Sequence, residues 1–131
     1  MRLVIDCNVV VAAARTDGTC RRALVAALRD HEVIVSEPIL AEYRQVAARA
    51  KHAAAAALLT FLIDRIEQVA LQVEPVPTTF GVADPADEVY LATATAGAAD
   101  ALITGNIRDF TQPFYQSVEI LTPRAFVDRA V

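Results

Sequence analysis

Several carboxylates in this chain stand where a solvated acid is not expected. Asp6 follows the continuously apolar run Arg2–Ile5 directly, with Asn8 two residues on. An acid at the carboxyl end of a buried strand is costly unless it is paired, hydrogen-bonded or metal-bound. From position alone, a helix cap for Asp6 is equally open. Glu42 lies three residues after Ile39 and four before Val46, on the flank of an apolar helical stripe. Surface glutamates occupy the opposite face, so the competing reading is a rim glutamate. Asp87 heads the face Asp87–Leu91–Ala94–Ala98, again the apolar side, or else completes a cap begun by Asp84. Asp84 itself reads as a cap, and Glu88, in register with Ala92, Thr95 and Ala99, as solvated. After the apolar run Ala101–Thr104, Gly105 permits a sharp turn and leaves Asn106 and Asp109 just beyond the strand end. A cap is the alternative for Asp109.

Acids gathered without histidine or thiolate partners repel one another unless a cation neutralises them. All-oxygen sites of this kind suit Mg²⁺ or Mn²⁺. Such ions serve phosphoryl chemistry, so the pattern points to hydrolysis of a phosphodiester or phosphate ester. Other chemistries find less support. His31 and His52 are not spaced as a ligand pair and read as surface residues. Cys7 has no histidine partner in the sequence and reads as a small core thiol. Ser36 lacks a G-x-S-x-G elbow, and four scattered glycines form no phosphate-binding loop.

The elements that must position these acids follow from periodicity. Arg2–Ile5, Glu32–Ser36, Ala101–Thr104 and Val118–Leu121 read as strands buried on both faces. Helical patterns cover Asn8–Ala14, Thr19–Arg29, Pro38 to about Ala50, and Ala53–Val69 with Leu58, Leu59, Leu62, Ile63 and Ile66 as its stripe. Asp84-Pro85 starts a helix that ends near Gly97, and Thr122 caps a last one. Val69–Pro77 allows a short edge strand. Alternating strands and helices predict an α/β fold, a three-layer α/β/α sandwich around a central parallel sheet, with strand Arg2–Ile5 at its middle. Functional groups in such sheets gather at the carboxyl ends of the strands.

Composition bounds the rest. The 131 residues, 55% hydrophobic and 21% charged, fit one folded domain with a large core. A net charge of −4 disfavours a protein that coats duplex nucleic acid over a wide face. Two unpaired-looking cysteines, no signal-like segment and no apolar run near membrane length predict a soluble cytoplasmic protein. Arg15, Arg21 and Arg22 lie near where Asp6 emerges, and Arg44, Arg49 and Lys51 mark the helix of Glu42. They read either as solvated faces or as a phosphate-tracking rim. With no Trp, recognition by stacking is limited, and structured RNA read by shape fits better than a long single strand.

The segments Leu3-Val-Ile-Asp6-Cys-Asn8-Val-Val, Glu37-Pro-Ile-Leu-Ala-Glu42-Tyr, Asp84-Pro-Ala-Asp87-Glu-Val-Tyr-Leu-Ala and Ala99-Asp-Ala-Leu-Ile-Thr104-Gly-Asn106 together resemble the successive motifs of PIN domains. The ending Val118–Phe126 resembles their last strand and helix, so the likeness spans essentially the whole chain. The nearest subgroup is the bacterial and archaeal toxins of toxin–antitoxin pairs, akin to the VapC type. The resemblance implies a metal-dependent endoribonuclease with Asp6, Glu42 and Asp87 as metal-site acids, and Asn8 and Thr104 as supporting polar groups. It also implies a cognate antitoxin and a homodimer. Two positions depart from the subgroup: Ala86 stands where an acid is frequent, and Asn106 where Asp is common. Related chains with Asn there often carry an acid three residues later, as Asp109 does here. Rival readings are a PIN-fold binding module with a decayed site, suggested by Asn106, and an aspartyl-phosphate phosphatase or receiver with Asp6 as nucleophile. The phosphatase usually has a second Asp where Asn8 stands; the receiver needs a late lysine, whereas the chain's only lysine is Lys51.

Overall fold

The computed structural model describes residues 1–130. The elements run β1 (Arg2–Ile5), α1 (Cys7–Arg15), α2 (Thr19–Asp30), β2 (Glu32–Val35), α3 (Glu37–Ala48), α4 (Ala53–Val69), β3 (Leu71–Gln72), α5 (Pro85–Ala96), β4 (Ala101–Ile103), β5 (Phe114–Tyr115), β6 (Val118–Leu121) and α6 (Pro123–Ala130). A 3-10 turn, Ile107–Asp109, follows β4. The strands form one sheet in the order β3-β2-β1-β4-β6-β5. All pairings are parallel except β5 with β6. β1 therefore lies between β2 and β4, with Leu3 opposite Val33 on one side and Ala101 on the other.

Successive residues of a strand point to opposite faces. Leu3, Val4 and Ile5 are all buried, as are Ala101, Leu102 and Ile103, so helices cover both faces of the sheet. This is the three-layer arrangement that the unbroken apolar runs predict. α5 packs over β1, β2, β4 and β6, while α2 and α6 pack together and reach β2 and β6. Gly97, which ends α5, lies so near β2 that an added Cβ would stand 2.5 Å from Ile34 Cγ2. Below it, the buried Ser36 and Thr93 hydroxyls satisfy one another at 2.8 Å.

Boundaries depart from expectation in ways with local causes. α1 begins at Cys7 because Asp6 is its cap, with a carboxylate oxygen accepting from the Asn8 amide. α3 takes in Glu37 and closes at Ala48, and the following residues turn toward α4. In α4, Leu59, Ile63 and Ile66 are buried, whereas Leu58 and Leu62 flank them half-buried. β3 is the expected edge strand, reduced to two residues. The antiparallel β5 was not signalled by any run; Tyr115 is buried there, edge-on to Phe110, and its hydroxyl accepts from the Thr111 amide. His31 is half-buried rather than on the surface, packed edge-on against Phe126. No helix among the described residues is long and apolar enough to cross a membrane.

Val4 is fully buried in the central strand, between helices on both faces. Replacing it with Asp strands a charge with no partner, at a cost of several kcal/mol against a total stability of about 5–15 kcal/mol. Val4→Asp is expected to abolish the cooperative thermal transition, and the same holds for Ile103→Asp. A soluble Val4→Asp protein with a wild-type melt would contradict this architecture.

Candidate metal centre

A cleft of about 530 Å³ opens at the carboxyl ends of β1 and β4. Asp6, Glu42, Asp84, Asp87 and Asp109 line it, together with Asn8, Asn106 and Tyr90. Four of these acids come from different parts of the chain: the end of β1, the middle of α3, the start of α5 and the 3-10 turn. The parallel sheet brings them to one edge. Arg15 of α1 is the one basic side chain lining the cleft among the described residues.

Asp6 is held from two sides. The Thr104 hydroxyl donates to its Oδ2 at 2.8 Å, and the Asn8 amide approaches its Oδ1 at 3.4 Å. Thr104 is itself fixed, since its backbone N–H donates to the Leu121 carbonyl at 2.9 Å and its Oγ1 accepts from the Asn106 amide at 3.0 Å. Asn8 ties the turn after β4 to α1, its Oδ1 accepting from the Gly105 amide at 3.0 Å.

Glu42 is positioned by a residue that the sequence reading passed over. Tyr90 donates its hydroxyl proton to Glu42 Oε1 at 2.7 Å and accepts from the Cys7 amide at 3.0 Å. One buried phenol thus satisfies the first turn of α1 and orients the acid of α3. Tyr43 does a similar service for β1, donating to the Ile5 carbonyl. Both tyrosines are almost wholly buried. The available signal was spacing: Tyr90 lies three residues after Asp87 and Tyr43 directly follows Glu42, each next to a suspect acid.

Asp87 is the least satisfied. Its side chain is 7% exposed, and its Oδ2 is buried with no hydrogen-bond partner. Burial first, then the charges of Asp6, Asp84, Asp109 and Glu42, push its carboxyl up to about 6. Asp6 is also raised, chiefly by burial, with the Thr104 and Asn8 hydrogen bonds pulling the other way. The Cys7 thiol is pushed up to about 12 by burial and by the charges of Glu42 and Asp6, so it is a neutral core group. Among the described residues no three acidic, histidine or cysteine side chains are already grouped to hold an ion. A magnesium-type ion, however, keeps several waters, through which carboxylates around a cleft can hold it without being grouped beforehand. The orphaned oxygen of Asp87 and an all-oxygen donor set with a single nearby cation fit such an ion.

The other predicted residues divide clearly. Asp84 caps α5, accepting from the Ala86 amide at 2.9 Å, while its side chain also reaches the cleft. Asp109 closes the 3-10 turn, is exposed, and caps no helix. Glu88 is not a solvated acid. Its carboxylate accepts from the Phe80, Gly81 and Val82 amides at 2.7, 3.2 and 3.3 Å, pinning the loop before Asp84 to α5. Arg44 faces away from the cleft, bridging to Asp64 at 2.7 Å and Glu67 at 2.5 Å of α4. Arg21 donates to the Ala13 carbonyl and Arg22 to the Thr19 hydroxyl, and both line a separate cleft with Asp17 and Asp30. Of the arginines and the lysine read as a possible phosphate-tracking rim, Arg15 alone lines the cleft with the acids.

The raised Asp87 carboxyl has a direct consequence for the metal-free protein. Its folded value, about 6, exceeds the ordinary value of 3.8, so the folded state holds the proton more tightly than the unfolded chain. The contribution of Asp87 to stability is then full below about pH 4, falls as the pH rises toward about 6, and is lost above it. Asp87→Asn is expected to melt higher than wild type at neutral pH, with the advantage shrinking through this window. Thermal melts in EDTA across the pH range measure it; equal melting temperatures at neutral pH would show that Asp87 is not crowded.

The chain's sequence matches the family model for the PIN domain over residues 2–108. No curated protein matches it by sequence. Among solved structures it is similar to VapBC2 from Rickettsia felis bound to a DNA fragment from their promoter, at 15% identity and a TM-score of 0.65, covering 93% of this chain and 98% of the other. It is also similar to VapBC-1 from nontypeable Haemophilus influenzae, at 13% identity and a TM-score of 0.64, covering 95% and 99%. FitAcB from Neisseria gonorrhoeae shares 19% identity at a TM-score of 0.61, covering 93% and 98%. These likenesses carry the same fold, and the family match spans the motifs of Asp6, Glu42, Asp87 and Thr104: the chain belongs to the PIN-domain family.

Proposed function

We propose that the protein is a Mg²⁺- or Mn²⁺-dependent endoribonuclease and the toxin of a toxin–antitoxin pair, acting in the cytoplasm. The observation that carries this reading is the buried, unpartnered oxygen of Asp87 in a cleft shared with Asp6 and Glu42. Such an arrangement is costly in the empty protein and is relieved by a divalent ion. Asp6, Glu42 and Asp87 would hold the ion, with Asp109 as an outer carboxylate. When bound, it supplies charge neutralisation at a scissile phosphate and a more acidic water. The chain's own residues do the positioning. Thr104 holds Asp6, Tyr90 holds Glu42, and Asn8 keeps the turn bearing Asn106 close to α1. No side-chain nucleophile is required, and the Cys7 thiol is protonated and buried.

Similarity to VapBC assemblies supports an antitoxin as protein partner. A homodimer belongs to the same reading. The second reading, a PIN-fold binding module with a decayed site, is favoured by one observation: Asn106 lines the cleft where the subgroup commonly has an acid.

A cleavage assay on several RNAs with Mn²⁺, beside calorimetric Mn²⁺ titration, tests both readings. Asp6→Asn, Glu42→Gln and Asp87→Asn are each expected to lower the rate at least about 10²-fold, the scale of losing one preorganised charge-stabilising group. Any of the three that keeps a near wild-type rate at saturating metal is not a ligand. Wild-type protein that binds Mn²⁺ weakly and cleaves nothing is the decayed module.

Asp109 and Asn106 yield a graded expectation. Asp109→Ala should weaken Mn²⁺ binding and slow cleavage less than Asp6→Asn does, and Asn106→Asp should tighten binding by adding a carboxylate. Unchanged affinity in Asp109→Ala, with or without a lower melting temperature, leaves a three-acid site.

A further inference from the structure

Beside the acidic cleft lies a groove of opposite character. It runs between α1, the end of α3 and the start of α4, encloses about 320 Å³, and has no carboxylate among its lining residues. Val11, Val46 and Leu59 supply an apolar floor, and Arg15, Arg49, Lys51 and His52 supply the rim. Arg15, Arg49 and Lys51 form no ion pair among the described residues. Arg65, Arg108 and Arg124 are likewise outside any ion pair among the described residues, but none of them lines the groove or the acidic cleft. Arg44 and Arg129 are neutralised by carboxylates, and the cleft of Arg21 and Arg22 contains Asp17 and Asp30. The groove and the cleft are also continuous, since Val11, Arg15 and Val46 line both.

We propose that this groove seats the stretch of RNA strand adjoining the phosphate held in the cleft, with a base on the apolar floor and backbone phosphates against the rim. This rests on the ribonuclease reading of the cleft. A polyanion cannot follow a wall of five carboxylates, so the strand must leave the centre where the field reverses. The α1–α3–α4 side is where the basic rim meets the acidic cleft directly. Contact with phosphates there is electrostatic and independent of sequence. The groove has no Phe, Tyr or Trp among its lining residues, so the base rests on aliphatic side chains with the His52 ring at the rim as its one aromatic neighbour, and sequence preference from this subsite is low. Arg15, shared by the two compartments, faces the phosphate between them.

Arg49 and Lys51 are exposed and outside the cleft, so Arg49→Ala/Lys51→Ala removes two charges without disturbing the core. The measurement is equilibrium binding of a fluorescein-labelled, mixed-sequence oligoribonucleotide in EDTA at several salt concentrations, with a thermal melt as control. The double variant should bind about tenfold more weakly, and the slope of log affinity against log salt should shrink by about 1.4, the signature of two lost single-strand phosphate contacts. With Mn²⁺ the loss should fall on KM rather than on kcat. Arg49→Lys/Lys51→Arg should restore both affinity and slope. Wild-type cleavage together with an unchanged Kd and slope in the double variant overturns the groove assignment alone. Binding that depends on Arg49 and Lys51 without any Mn²⁺-dependent cleavage keeps the groove and overturns the ribonuclease reading. Unchanged RNA binding with lost affinity for a helical Glu/Leu peptide assigns the groove to a protein partner and overturns the proposal.

Discussion

Asp6 sits at the junction on which the rest of the site depends. Its backbone still belongs to the sheet, the amide donating to the Ile103 carbonyl at 2.9 Å, while its carboxylate caps the helix that follows. The side chain therefore leaves a backbone fixed in the sheet, and the Thr104 hydroxyl and Asn8 amide hold the carboxylate itself. The matching end of β4 provides Thr104, whose amide is anchored in turn to Leu121 of β6. Three adjacent parallel strands thus fix one carboxylate–hydroxyl contact, and that contact sets where the cleft begins.

The other acids are built outward from this point through groups that also serve the fold. Tyr90 ties the first amide of α1 to Glu42 of α3, so the helix that starts at Asp6 and the helix that carries Glu42 share one buried phenol. Glu88, one residue past Asp87, uses its carboxylate to gather three loop amides, which steadies the approach to Asp84 and Asp87. Among the described residues, Asp87 alone is left with a buried side-chain oxygen that nothing satisfies. Natural proteins break local rules where function requires it and compensate elsewhere. Here the compensation is the continuous apolar core on both faces of β1 and β4.

What the residue string reveals depends on whether a feature is periodic. The central strands announce themselves because burial on both faces forces unbroken apolar runs, and α4 because its stripe Leu58–Ile66 repeats at helical spacing. Asp6, Glu42 and Asp87 stand out as acids on apolar faces. The missed features rest on partners that no periodic run reveals, near in sequence for β5 and Glu88 and distant for Arg44 and Tyr90. β5 exists because two residues pair with β6 and Tyr115 packs on Phe110. Glu88 looks solvated by periodicity because no repeating pattern shows that Phe80–Val82 folds back onto it. Arg44 looks like a free cation because Asp64 and Glu67 lie about 20 residues away, on another helix. Tyr90 could be suspected from its spacing to Asp87, but its two hydrogen bonds reach back 48 and 83 residues.

Net charge also misleads here, for a physical reason. A formal −4 spread evenly would repel nucleic acid, yet the charges are sorted. Five acids face one cleft, where bound cations would reverse the local field, and the rim of the neighbouring groove carries no acid at all. At physiological salt, interactions between exposed charges fade over about 8 Å, so a strand responds to the wall it touches rather than to the sum over the molecule. An acidic protein can then hold a polyanion, provided the acids are concealed behind an ion and the cations are left unpaired at its edge. The pairing of Arg44 with α4 fits that division. It removes a positive charge from the far side of α3 and leaves the unpaired ones at the end of that helix, next to the cleft.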